Sequence, residues 1–129
     1  GEFVSGYVKN GAGLIFVITN DGWWGNTAGH RQHLVFSSLR SIETRRDIAR
    51  SANTGISAFI NQKGEILDET PYWQEAVIKQ TLHANQEVTF YVQYGDYIGR
   101  IAGYASVLLF LGGFVQRVIK KKGSLAVNN

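Results

Sequence analysis

Hydrophobic and polar positions divide the chain into a body of short elements and one long apolar stretch near its end. Phe3, Val4, Tyr7 and Val8 recur at helical spacing, so residues 1–9 read as the end of an amphipathic helix. Lys9-Asn10-Gly11 follows as a stop, with glycine available for a left-handed cap. Leu14-Ile15-Phe16-Val17-Ile18 is apolar on both faces and predicts a buried central strand. Residues 20–29 form a polar, glycine-rich loop holding two tryptophans. Residues 30–45 predict a helix with Val35, Leu39 and Ile42 on one face. Short strands are expected at 48–53, 56–60 and 65–67, the last two joined by the hairpin turn Asn61-Gln62-Lys63-Gly64. Residues 77–84 alternate in a way that suits another strand, although their two faces are not cleanly sorted. The pattern is α/β and layered, with its first half absent.

The apolar stretch runs over 98–119. Fifteen residues from Ile101 to Val115 carry no formal charge, about 22 Å of helix. Extension to Ile98–Ile119 gives about 33 Å, enough for the hydrocarbon core if Arg100 and Arg117 reach the interfaces. The other reading is a buried core helix. Lys120, Lys121 and Lys122 follow at once, which favours a membrane span with the lysines cytoplasmic and the body outside, in a bacterial periplasm. Gly99 and Gly103, four apart, suit close helix packing only weakly. The organisation expected is a body over 1–96, a transmembrane helix over 97–119 and a basic tail over 120–129.

Charge supports this division. The 129 residues carry 13 Lys+Arg against 10 Asp+Glu. Four of the positives are Arg117 and Lys120–Lys122, so the body is close to neutral. A basic end without a basic face argues against nucleic acid as a partner. The chain has no cysteine, which excludes disulfides, thiolate metal sites and a cysteine nucleophile among these residues. It also has no methionine and begins Gly1-Glu2-Phe3, so it reads as a piece of a longer protein.

Candidate chemistry concentrates in Asn20-Asp21-Gly22-Trp23-Trp24-Gly25-Asn26, at the carboxyl end of a strand, where open α/β folds place ligands. Two adjacent tryptophans cannot both enter one core, so one can line an apolar site or meet lipid. The bland reading makes them packing residues, with Asn20 and Asp21 as turn formers. His30 and His33 lack further metal ligands nearby, and His33 is expected to make a structural hydrogen bond. Ser37, four residues after His33, resembles a nucleophile with its base but comes with no oxyanion hole. Arg40 and Glu43 can pair at i, i+3. Arg50 is expected to pair structurally, with Glu43 and Asp47 as the nearby carboxylates. Gly55, in the turn after Thr54, is expected to take a backbone conformation closed to other residues.

Ile18-Thr19-Asn20-Asp21-Gly22-Trp23-Trp24-Gly25, then Gln32-His33-Leu34, Arg40-Ser41-Ile42-Glu43 and Arg50-Ser51-Ala52-Asn53-Thr54-Gly55-Ile56-Ser57 together resemble the apolipoprotein N-acyltransferases. These are membrane-embedded members of the nitrilase (carbon–nitrogen hydrolase) superfamily. The likeness runs in order over roughly residues 1–70, and the apolar segment with its basic end suits the family's last membrane helix. It implies the C-terminal part of a nitrilase-type αββα sandwich followed by one transmembrane helix. It implies no cofactor or metal. It also implies transfer of an acyl chain from a phospholipid donor to the α-amino group of a diacylglyceryl-cysteine, the first residue of a lipoprotein acceptor, at the bacterial inner membrane. The family's Glu–Lys–Cys triad works through a thioester, covalent catalysis in two steps, with lysine and backbone donors at the oxyanion.

The sequence departs from the family at the triad. The family's nucleophile sits in a Cys-Tyr-Glu motif just before a helix resembling residues 1–9, and its glutamate and lysine lie further upstream. Neither Glu2 nor Lys9 matches those positions. The 129 residues alone are therefore expected to be catalytically dead. What the resemblance carries over is a site wall: Asn20, Asp21 and Trp23 match its Asn-Asp-x-Trp loop beside the nucleophile, and Trp24 replaces an aromatic placed to contact acyl chains. His33, Arg40, Glu43 and Arg50 match as scaffold. Two other readings stay open: part of a soluble-type nitrilase or amidase, and a tail-anchored, non-enzymatic nitrilase-like protein.

Overall fold

The computed structural model describes residues 1–127, with side chains as far as residue 117. The chain divides into two units, Gly1–Gly95 and one beginning at Asp96.

The first unit opens with α1 (Glu2–Lys9), stopped at Asn10 and followed by Gly11 at φ 94°. A left-handed glycine there ends the helix as expected. Strand β1 (Ile15–Thr19) leads through the loop to α2 (Ala28–Thr44), which returns the chain to β2 (Ile48–Ala52) parallel to β1. Strands β3 (Ala58–Ile60) and β4 (Ile66–Glu69) then add antiparallel, in the order β1-β2-β3-β4. Asn61 makes the hairpin turn: its side-chain oxygen accepts from the Lys63 and Glu65 amides. Residues 70–89 run outside the sheet to α3 (Phe90–Tyr94), which packs with α1 and α2.

Leu34, Ile48, Ile56, Ala58 and Ile60 form the core between α2 and the sheet, with Ile15, Val17 and Tyr72 against it. Three expectations need correcting here. First, among the described residues β1 lies at the edge of the four-stranded sheet, where a central strand was expected. Only Ile15, Val17 and Thr19 turn inward, while Phe16 and Ile18 on the other face stay exposed. The apolar run that suggested burial on both faces is covered on one.

Second, Val35, Leu39 and Ile42 face outward on α2. The buried stripe is His30, Leu34, Ser37, Ser41 and Thr44. A helix can bury hydroxyls where each finds a partner. The single Ser41 hydroxyl hydrogen is shared between the carbonyls of Arg46, at 2.8 Å, and Asn61, and Thr44 donates to the Arg40 carbonyl at 2.7 Å.

Third, residues 77–84 form no strand. Val77 is 97% exposed, and the segment is tied down by single bonds instead of a ladder. The His83 amide donates to the buried Asp47 carboxylate at 2.7 Å, and the Gln62 side chain reaches the His83 carbonyl. The mixed character of both faces explains this, since a strand needs one face worth burying.

Arg46, fully buried, holds the periphery together. Its Nε donates to the Ala12 carbonyl at 2.7 Å, and its Nη1 to the carbonyls of Thr44 at 3.0 Å and Glu87 at 2.9 Å. Burial lowers its pKa from the ordinary arginine value, against the charge of Glu87. The loop before β1, the end of α2 and the strap before α3 thus meet on one guanidinium.

The second unit is α4 (Tyr97–Val127), entered through Asp96, whose carboxylate accepts from the Gly99 amide at 2.9 Å. Its portion Tyr97–Arg117 has 21 residues, a mean hydropathy of 1.7 and no buried part. That length is about 31 Å, enough by length and composition to cross a bilayer. The side chains of the expected basic tail over 120–129 lie outside the described residues.

Candidate functional site

The site lies at the carboxyl ends of β1 and β2, where a short 3-10 turn over Gly22–Trp24 links β1 to α2. Thr27 caps α2 by accepting from the Gly29 amide at 3.2 Å, and its hydroxyl donates back to the Trp24 carbonyl at 2.8 Å. The loop is therefore welded to the helix that follows it.

Beneath the loop sits a buried ion pair. The side chains of Asp21 and Arg50 are both 0% exposed, and Arg50 Nη2 lies 2.5 Å from Asp21 Oδ2. The other carboxylate oxygen accepts from the Thr19 hydroxyl at 3.1 Å and faces His33 Nδ1 at 2.9 Å. A carboxylate can only accept, so Nδ1 carries the proton in that bond. Arg50 also donates from Nη1 to the Ser37 hydroxyl at 3.1 Å and from Nε to the Ile56 carbonyl at 3.2 Å, and its Nη2 lies 3.2 Å from His33 Nδ1. Burial works against the charge on Asp21, but the bonds from His33 and Arg50, the arginine's charge and the Thr19 hydroxyl outweigh it. The net result is a pKa below the ordinary aspartate value.

Gly55 closes the pair from above. Its backbone is not left-handed, contrary to expectation. A Cβ there would lie 2.3 Å from Asp21 Oδ2 and 2.6 Å from Asp21 Cβ. The glycine is required by close approach. Asn20 completes the frame: its side-chain oxygen accepts from the Gly22 amide at 3.1 Å and the Thr54 hydroxyl at 3.0 Å.

The indoles sit on this frame. Trp23 is 85% exposed. Trp24 is 42% exposed, with its inner edge against Gly29, where a Cβ would meet the ring at 2.7 Å, and against His33 at a ring separation of 5.1 Å.

The remaining sequence candidates fall into place around the loop. His33 makes the expected structural bond. His30 points elsewhere, stacked on Tyr72 at 3.9 Å and 15°, so the two histidines do not share a site. Ser37 serves Arg50 and His33 serves Asp21, so they do not act as nucleophile and base. Arg40 and Glu43 pair at 2.7 Å as expected. Arg50 corrects its expected partner: its carboxylate is Asp21, while Glu43 is taken by Arg40 and Asp47 by the His83 amide. Tyr72 and Trp73, opposite Gly25 and Asn26 across a cavity of about 440 Å³, were not singled out from the sequence. Only the positive φ of Trp73, 60°, marks them, and that has no sequence signature.

A carbon–nitrogen hydrolase family model matches residues 2–88, which takes in the sheet, α2 and the loop. The chain belongs to the carbon–nitrogen hydrolase family. Its α/β sheet and, among the described residues, one long apolar helix after it accord with the fold class expected from the sequence.

This carbon–nitrogen hydrolase chain is also similar to proteins named apolipoprotein N-acyltransferase. The Chlorobaculum tepidum protein is 37% identical over 115 residues, covering 88% of the chain and 22% of the relative. The Geobacter metallireducens protein is 38% identical over 95 residues, covering 74% and 18%. The Thermotoga maritima protein is 38% identical over 108 residues, covering 84% and 21%. The chain thus spans about a fifth of the length of these curated relatives.

Proposed function

We propose that this chain forms one wall of the acyl-transfer site of a bacterial membrane enzyme that N-acylates lipoproteins. The reaction moves an acyl chain from a phospholipid to the α-amino group of an N-terminal diacylglyceryl-cysteine. The observation that carries this reading is an exposed pair of indoles held on a buried ion pair, in a chain that also presents a bare apolar helix. Similarity to proteins named for that activity supports it.

In this reading Trp23 and Trp24 meet the acyl chain. Asn20 and Asp21 belong to the site as the frame that aims them. The thioester chemistry needs a thiol, and the 129 residues hold none. The chain alone is inactive, and its contribution is shape and a dry surface beside the reacting thiolate. The helix Tyr97–Arg117 crosses the inner membrane, with the sheet-bearing unit in the periplasm and the C-terminus in the cytoplasm.

The test is to express the full-length protein to which this segment belongs, with its thiol-bearing part, in a bacterium depleted of its own lipoprotein N-acyltransferase. Mass spectrometry of a reporter lipoprotein reads the outcome. Triacylated product that falls when Trp23 is replaced by alanine is expected. A reporter that stays diacylated throughout refutes the proposal.

A further inference from the structure

We propose that His33 and Ser37 bind the amino end of the acyl acceptor. His33 Nε2 takes the N–H of its α-amine and the proton that acylation releases, and the Ser37 hydroxyl donates to the carbonyl of the same residue. The inference deepens the function proposed above and rests on it.

The buried ion pair reaches a second surface besides the tryptophan loop. His33 and Ser37 lie one turn apart on α2 and line a cavity of about 360 Å³ together with Gly1, Val17, Phe36 and Arg40. Each is held by one member of the pair. Asp21 accepts from His33 Nδ1 at 2.9 Å, which leaves Nε2 as an acceptor with no hydrogen-bond partner among the described residues. Arg50 Nη1 donates to the Ser37 oxygen at 3.1 Å, so the hydroxyl keeps its own hydrogen to give. The Trp24 ring, 5.1 Å away and edge-on, fixes the imidazole from the other side.

An imidazole that only ties down Asp21 needs no exposure. The His33 side chain is 35% exposed, while the carboxylate behind it is 0% exposed. Such an arrangement suits a base: the carboxylate sets the tautomer and stabilises the imidazolium, and the far nitrogen stays open. The two guanidinium groups near the cavity are already matched, Arg50 by Asp21 and Arg40 by Glu43. Neither carboxylate is left over to hold an ammonium, so the free amine, the form that attacks, is the one accommodated. One acceptor beside one donor fits an N–H and a C=O, and an amino-terminal residue carries both on a single α-carbon.

In the transfer step the amine nitrogen bonds to the acyl carbon of the thioester. The carbon–sulfur bond breaks, and its electron pair leaves with sulfur as thiolate. The surplus proton on nitrogen passes to His33 Nε2. The imidazolium, steadied by Asp21, returns that proton to water at the exposed edge of the ring.

The experiment uses the purified full-length protein to which this segment belongs, in detergent micelles with a phospholipid donor. Release of lysophospholipid without acceptor reads thioester formation. Mass spectrometry after addition of diacylglyceryl-cysteine N-methylamide reads aminolysis. His33→Asn keeps a donor where Nδ1 stands and has nothing in place of Nε2. It is expected to form the thioester at the parent rate and to slow aminolysis about a hundredfold or more. The second arm compares that acceptor with diacylglyceryl-cysteamine, which has the amine and no carbonyl. The parent protein is expected to show a KM about three- to tenfold higher for the cysteamine, and Ser37→Ala is expected to lose this preference. Melting by circular dichroism checks the fold of each variant, and the acceptor comparison in the parent protein decides without them.

His33→Asn at parent rates in both steps overturns the inference, since an amide donor then does all that the histidine does. An equal fall in both steps also overturns it, as the mark of a damaged scaffold. Equal KM values for the two acceptors in the parent protein, or a preference that survives Ser37→Ala, defeat it as well. A parent protein that forms no thioester defeats the proposed function along with it.

Discussion

Replacing Arg50 with methionine tests whether the site rests on the buried ion pair. The substitution keeps much of the side chain's apolar bulk but removes every guanidinium donor. Asp21 loses its contact at 2.5 Å and keeps only Thr19 and His33, while the Ser37 hydroxyl and the Ile56 carbonyl each lose a donor. Both partners are 0% exposed, so water cannot take the arginine's place without opening the loop. Breaking a buried pair by removing one partner costs about 3–5 kcal/mol. A domain of this size has roughly 5–15 kcal/mol in all, so the variant should sit near its unfolding threshold. Urea unfolding of the chain in detergent micelles, followed by circular dichroism and tryptophan emission, reads the change. The double variant Asp21→Asn/Arg50→Met should lose less than the two single losses added together, because it no longer buries an unpaired charge. A loss below about 1 kcal/mol in Arg50→Met, the value of a solvent-screened surface pair, would refute the reasoning. So would strict additivity in the double variant.

Three further outcomes follow from the same geometry. The pKa of Asp21 is lower in the folded chain than in the unfolded one. Its contribution is therefore present above the unfolded value of about 4 and is lost as pH falls through the folded value. Thermal melts across acid pH should show this fall, and Asp21→Asn should flatten it. Gly55→Ala places a methyl group against the Asp21 carboxylate and should cost about 1–3 kcal/mol; a neutral result in urea melts would mean the turn simply moves aside. Arg46→Met strands the carbonyls of Ala12 and Glu87 at about 1–3 kcal/mol for each group left buried. Hydrogen exchange should then rise around residues 11–14 and 84–89 ahead of the sheet.

What could be read from the residues alone was local. The stop at Gly11, the crossover from β1 through α2 to β2, the hairpin at Asn61–Gly64 and the apolar stretch all depend on neighbours a few positions apart, and all are present in the fold. The errors arose where a distant partner decides. Arg50 finds Asp21, 29 positions away, past two nearer carboxylates. Phe16 and Ile18 look buried because the run is apolar, but strand placement depends on what covers each face. The outward Val35, Leu39 and Ile42 misled for a related reason: the buried hydroxyls of α2 are satisfied by carbonyls that only the tertiary fold brings near. Arg46 gave no signal, since a guanidinium serving three backbone segments looks in sequence like any surface charge. In the candidate site, the loop was legible from its residue types. The cleft across from it was not, because it depends on the turn at Trp73.

The polar seat of α2 has a mechanical consequence. Apolar side chains tolerate sliding, since one methyl replaces another at little cost. Hydroxyls do not, because each is matched to a particular carbonyl or donor. Ser41 meets the carbonyls of Arg46 and Asn61, and Ser37 meets Arg50. A shift by one turn, about 5.4 Å, would break all of these together. Such a helix behaves as a keyed shaft. At one end it grips the β3–β4 hairpin through Ser41, and at the other it carries Thr27, Gly29 and the tryptophan loop. A push on the hairpin would therefore be transmitted to the indoles as a rigid displacement, which gives the far side of the domain a lever on the site.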